Sequence, residues 1–215
     1  MIKTGDEVVD WKSFKACSDE KKVVWMENGQ TNQIGTTSEK IWLDEENDIL
    51  FRQQKLVFLD PNKRSRTIQL AIKHSTFEPL NCLDEGSMIV KLEYHTEYID
   101  LEVTDGDNIR TMTIDKDHGA FDLFSLELLL RLLPLDIGYK AELEAFNHMV
   151  KATVPVQIEV TGIDKISDGI KEVDAWCIQL HFGENLQTYW ISSKTKELLK
   201  QSVKLSEGVY FDFVR

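Results

Sequence analysis

The stretch FDLFSLELLLRLLPL, residues 121–135, limits the fold more than any other part of the chain. Asp122 has the short acceptor side chain of a helix N-cap, Glu127 and Arg131 stand at the i, i+4 spacing of a helical ion pair, and Pro134 ends the run. The pattern predicts a helix near 122–133. At about 100° per residue, Glu127 and Arg131 share one narrow sector and about 260° of the circumference is apolar, interrupted only by Ser125. A helix of this length rises only ~18 Å, short of the ~30 Å hydrocarbon layer, so no membrane insertion is expected. Its leucines must be covered by protein. Burying one contributes about 1.5–3 kcal/mol, so several together rival the net stability of a whole domain, about 5–15 kcal/mol.

The cover that the rest of the sequence offers is β-structure. RTIQLAIK places Ile68, Leu70 and Ile72 on one face, and TVPVQIEV does the same with Val154, Val156, Ile158 and Val160. DAWCIQLHF aligns Trp176, Ile178, Leu180 and Phe182, and VYFDFVR aligns Val209, Phe211 and Phe213. Between such runs, DPN at 60, DEG at 84, TDGDN at 104, SDG at 167 and GEN at 183 supply turn chemistry. These are half-buried antiparallel strands joined as hairpins, with no βαβ alternation. A flat sheet touches one side of a helix, whereas a curved one reaches around it. The expected fold is mainly β (α+β): a curved antiparallel sheet or half-barrel meander wrapped around one central apolar helix. With no repeat, low-complexity tract or Gly/Ser linker, one domain over 1–215 is expected.

Two local readings go further. In VKLEYHTEYIDLEV the apolar face runs Leu92, Tyr94, Tyr98 and then changes phase to Ile99, Leu101, Val103, which predicts a β-bulge near Tyr98 to Asp100. Near the N-terminus, Val8, Trp11 and Phe14 fit one stripe of a short helix, while EVVDW equally begins a strand.

Thirty-seven acids against 25 Lys and Arg give a net charge of −12, which repels nucleic acid and anionic lipid at long range. No nucleic-acid partner is expected. Lys63, Arg64 and Arg66 gather in DPNKRSR, but Pro61 and Asn62 mark that segment as a solvated hairpin tip. Cys17, Cys82 and Cys177 are odd in number and lack metal-ligand spacing, which fits reduced thiols. MIKTGDEVVDWKSFKAC carries charges and a tryptophan where a secretory peptide needs an unbroken apolar run, so a cytoplasmic location is expected.

Candidate chemistry is sparse. His95 with Glu93 and Glu97 would share a strand face and could ligate a divalent metal, but that face also reads as an exposed charged one. DKDHGAFD gathers Asp115, Asp117, His118 and Asp122, an acid/base or metal cluster on one reading and acids meeting a helix N-terminus on the other. TDGDN lacks the register and distal glutamate of a calcium loop and reads as a turn. No nucleophile elbow, phosphate-cradling glycine loop or HExxH is present, so the sequence carries no positive sign of an enzyme and implies no cofactor. Tryptophans 11, 25, 42, 176 and 190 either join the core or line an apolar pocket or a partner surface; in TYWIS, either Trp190 or the pair Tyr189 and Ile191 must face outward.

The segment from 119 to 205 resembles a family of bacterial domains of unknown function related in fold to the periplasmic lipoprotein carriers (LolA-like). The shared features are the Asp-started apolar helix with its Arg-x-x-Pro-Leu ending (Asp122, Arg131, Pro134, Leu135), a valine-rich strand leading to Gly162 and Asp164, and Tyr-Trp-Ile-Ser at 189–192 followed by a hairpin to 198–200. The resemblance implies a half-barrel around a helix and no catalytic residues. The leading functional expectation is a non-enzymatic domain that binds an apolar small molecule in, or a protein partner on, its curved sheet. The alternatives are a metal-dependent or acid/base hydrolase using the His95 or His118 clusters, and a structural subunit that self-associates through a strand edge. For the concave face itself, a helix that fills it completely is expected over one that shares it with a ligand.

Overall fold

The computed structural model describes residues 1–215. β1 (Cys17–Glu27), β2 (Gln30–Asp44), β3 (Ile49–Phe58), β4 (Arg66–Lys73), β5 (Pro79–Glu85), β6 (Ile89–Tyr94), β7 (Tyr98–Asp105) and β8 (Asn108–Asp115) form one meander. After the two-residue β9 (Phe121–Asp122) and the helical segment, β10 (Lys140–Asn147), β11 (Ala152–Ser167), β12 (Glu172–Phe182), β13 (Asn185–Ser192), β14 (Leu198–Ser206) and β15 (Val209–Val214) form a second. The meanders join where β1 pairs with β15, giving one sheet of 15 strands from β8 through β1 and β15 to β9. All pairings are antiparallel except β9 with β10. The molecule is mostly β, one large curved sheet with one short helix.

The alternating faces lie as the sequence predicts: Ile68, Leu70 and Ile72, then Val156, Ile158 and Val160, then Ile178, Leu180 and Phe182 are all buried. Bulges bend the long strands, with register shifts opposite Val23 and Val24 in the β1/β2 pair and between Val160 and Gly162 in β11. Beside the first of these, a side chain at Gly35 would place its Cβ 2.4 Å from the Val57 carbonyl oxygen, so only glycine admits the close approach of β3.

The curved sheet nearly closes on itself. The Tyr94 ring of β6 meets Phe146 of β10 edge-on at 6.2 Å, and His148, just past β10, lies 3.3 Å from Asp84 of β5. The N-terminal segment ties these parts together: Ile2 N donates to Glu142 O at 2.6 Å, Gly5 N to Thr76 O at 2.6 Å, and Asp10 N to Leu132 O at 3.0 Å. It is neither helix nor strand. Val9 enters the core, Val8 is exposed, and a single 3-10 turn covers Trp11–Ser13.

Two expectations need correcting. The phase change after Tyr94 is a hairpin and not a bulge: β6 ends at Tyr94, His95 N donates to Tyr98 O at 2.9 Å, and Tyr94 pairs with Ile99. The chain reverses, so the buried set restarts in a new phase. The helix is also shorter than 122–133. A 3-10 turn over Leu123–Ser125, capped by Asp122 Oδ1 accepting from Phe124 N at 2.6 Å, leads into α1 (Leu126–Leu130). Arg131 N and Leu132 N then bond three residues back, tightening the last turn before Pro134. Leu126, Leu128, Leu129, Leu130, Leu132 and Leu133 are all buried within the sheet. No helix is long and apolar enough to cross a membrane.

Candidate functional site

The helix does not fill the concave face. Where α1 begins, β3 and β4 face β12 to β15 across a cavity of about 250 Å³. Its walls are apolar, with Ile68, Phe124, Leu126, Phe182 and Val203 among them. Phe211 and Phe213, which the alternation placed on the inner face, line it as well and are only half-buried, their rings edge to face at 5.2 Å. Leu56, Phe182 and Val203 lie near the end of the sheet where the hairpin turns after β3, β12 and β14 cluster. Leu59 on the turn after β3, Leu205 near the end of β14 and Met149 on the turn after β10 are exposed.

The deep end of the cavity is polar. Tyr189 Oη donates to Gln187 Oε1 at 2.5 Å and accepts from Gln201 Nε2 at 3.1 Å. Glu127 and Arg52 lie beside them. Glu127 and Arg131, the one narrow polar sector of the helix, are buried and complete an ionic quartet with the sheet. Arg52 Nε donates to Glu39 Oε1 at 2.6 Å, Arg131 Nη2 reaches Glu39 Oε2 at 3.1 Å, Arg131 Nε donates to Glu127 Oε1 at 2.5 Å, and Arg52 Nη2 lies 3.2 Å from Glu127 Oε2. Arg52 Nη1 also donates to Phe124 O at 2.6 Å, fixing the helix start to β3. The four formal charges cancel.

Burial alone would push the Glu39 carboxyl up, but the guanidinium groups of Arg52 and Arg131 outweigh it and hold it down at about 2. Burial likewise opposes ionisation of Asp84, yet hydrogen bonds from Arg66, at 2.8 and 2.7 Å, and the nearby His148 keep it near 2 as well. Both carboxyls titrate lower in the folded chain than their ordinary values of 4.5 and 3.8, so the unfolded chain takes up protons first. Their stabilisation is present above about pH 4.5 and is lost as pH falls toward 2. Urea denaturation midpoints are therefore expected to decline steadily through that window. A flat profile across it would contradict the quartet.

The histidine clusters are not assembled as the sequence suggests. His95 sits in the β6/β7 turn, stacked on Tyr98 at 4.3 Å with Nε2 3.2 Å from Asp100, and so away from the strand face it would have shared with Glu93. Asp115 ends β8 opposite Tyr98, while Asp122 is buried and accepts from the Tyr94 hydroxyl, its carboxyl raised by burial. Of the DKDHGAFD acids only Asp122 touches the helix start. His95 and His118 do line one shallow depression with Lys116 and Glu78, but no three His, Cys, Asp or Glu side chains converge to hold a metal.

Other expected features are also relocated. Arg66 is not part of a solvated tip: it turns back onto Asp84 and lines the cavity. None of the five tryptophans lines the cavity. Trp176 packs on the core, and Trp190 faces outward, donating to Asp164 Oδ2 at 2.7 Å beneath Lys200. Sequence reasoning missed Glu39, Arg52 and the three cavity glutamines, Gln54, Gln187 and Gln201. A signal existed for the first two, since Glu39 alternates in phase with buried Thr37 and Ile41, and Arg52 with buried Leu50.

Comparison with known proteins follows the fold. A family model described as a protein of unknown function, DUF3108, matches residues 64–213. Among solved structures, the chain is similar to a β-barrel-like protein of domain of unknown function DUF1849 from Brucella abortus, with 7% identity, a TM-score of 0.56, and coverage of 91% of this chain and 95% of that one. At that identity the likeness concerns the fold alone. No curated protein matches the chain.

Proposed function

We propose that this chain, which belongs to the DUF3108 family of proteins of unknown function, is a binding module that holds an apolar small molecule between its helix and its curved sheet. The observation that carries this reading is the cavity of about 250 Å³, with Phe211 and Phe213 inward-facing yet only half-buried. Protein interiors are close-packed, and aromatic surface left uncovered within a concavity marks a place where further burial is favourable. The cavity adjoins no nucleophile with a paired base, which supports binding over chemistry. Three unpaired cysteines, Cys17, Cys82 and Cys177, support a reducing, cytoplasmic setting.

At about 30 Å³ per heavy atom, the share of a liquid molecule, the cavity holds on the order of eight heavy atoms. Ethylbenzene is a probe of that size. Added to the protein, it is expected to perturb the methyl NMR signals of Ile68, Leu126 and Val203, and Val203→Trp, which fills the space from a half-buried position, is expected to abolish the effect. Unperturbed methyl signals in the native protein, or equal binding by the folded Trp variant, would count against the reading.

A further inference from the structure

We propose that two copies of this chain pair through β8, edge to edge and antiparallel, around a two-fold axis at Met112. β8 is the last strand of the sheet and pairs only with β7. Lys116 N donates to Glu97 O at 2.9 Å and the register continues from there without a shift, so Ile114, Met112 and Arg110 also bond toward β7. The N–H and C=O groups of Ile109, Thr111, Thr113 and Asp115 therefore point away from the sheet. The opposite edge is covered: β9 pairs with Ala145 and Phe146 of β10, and Ile2 bridges to Leu143. Natural sheets blunt exposed edges with proline, lysine or a bulge, and β8 has none of the three.

The strand also fits its own copy. The chain as a whole carries a charge of −12, but within β8 Arg110 and Asp115 cancel, so this edge is neutral where most of the surface repels a second copy. Met112 and Ile114 face the interior opposite buried Leu101 and Ile99, yet are only half-buried, and Ile109 is 64% exposed. With the axis at Met112, that side chain meets Met112 of the second copy, and the Ile114 side chains flank the pair, extending the apolar inner face across the junction. On the outer face Thr111 stands opposite Thr113, a favourable cross-strand pair. Sliding the copies brings cations together. One step toward the hairpin sets the two Arg110 side chains diagonally adjacent and the next sets them directly opposite, whereas one step the other way sets Arg110 against Lys116. The acids nearest this pairing, Asp107 and Asp117, lie beyond the ends of β8.

Sedimentation equilibrium of the full chain is expected to show a concentration-dependent species of twice the 24.8 kDa of one chain. Thr111→Pro removes an outward N–H from each copy at an edge position where a strand tolerates proline, and is expected to weaken association about tenfold or more while the monomer stays folded. Cross-linking reads the register, in a Cys17→Ser, Cys177→Ser background because Cys82 is buried. In the proposed pairing, position 112 forms a non-hydrogen-bonded pair at the axis with Cα atoms about 4.5 Å apart, within reach of a disulfide. Met112→Cys is expected to give a covalent dimer on brief copper phenanthroline oxidation. Arg110→Cys, about 14 Å from its copy, is not. A chain that stays at 24.8 kDa, a dimer that a folded Thr111→Pro variant leaves intact, or cross-linking at Met112→Cys no stronger than at Arg110→Cys overturns the proposal. Should Thr111→Pro not fold, the cross-linking pattern decides.

Discussion

Arg131→Met is expected to lower folding stability by about 3–5 kcal/mol, measured by urea denaturation at neutral pH. The substitution keeps the length of the side chain and removes the charge, leaving Glu39 and Glu127 to share Arg52 in a site where all four residues are no more than 7% exposed. An uncompensated negative charge then stays buried. Removing Glu127 as well, in the double variant Arg131→Met, Glu127→Leu, leaves the neutral pair Arg52 and Glu39 and is expected to be more stable than Arg131→Met alone. Strictly additive losses would mean that the residues do not act as a unit. The quartet also explains how the helix is oriented. A nearly all-apolar helix has no strong rotational preference inside an apolar shell, whereas one polar stripe that must find Glu39 on β2 and Arg52 on β3 fixes a single rotation.

Leu129→Ala is the second large effect, an expected loss of about 2–5 kcal/mol. Leu129 is wholly inaccessible, in a core where its neighbours cannot collapse into the space because the sheet around it is held by continuous hydrogen-bonded pairing. Leu205→Ala, at a position 52% exposed, is expected to change stability by less than about 0.5 kcal/mol in the same assay. A Leu129→Ala effect as small as that of Leu205→Ala would mean that the helix is not sheathed.

Much of this architecture was legible because its signals are local. Period-two alternation at 68–72 and 154–160 needs only adjacent residues, and Asp122 caps the turn that follows it. The surroundings of Glu127 and Arg131 were not legible, because an i, i+4 pair looks the same whether it faces water or a complementary pair from strands far earlier in the chain. The hairpin at His95 to Glu97 was missed because it contains neither glycine nor proline, so a reversal imitated a bulge. The cavity amides escaped for a further reason. Gln54, Gln187 and Gln201 come from three strands, and their convergence depends on the β1/β15 junction that brings the two meanders together. Phe211 and Phe213 were placed on the correct face, but alternation reports direction and not how fully a side chain is covered.

The most direct test of the central claim locates a bound apolar molecule. Intermolecular nuclear Overhauser effects from unlabelled ethylbenzene to methyl-labelled protein are expected at Ile68, Leu126 and Val203, which surround the cavity, and absent at the exposed Leu59 and Val150 on the hairpin turns. Contacts at the turns or on the outer face, with none at the three cavity methyls, would contradict the account.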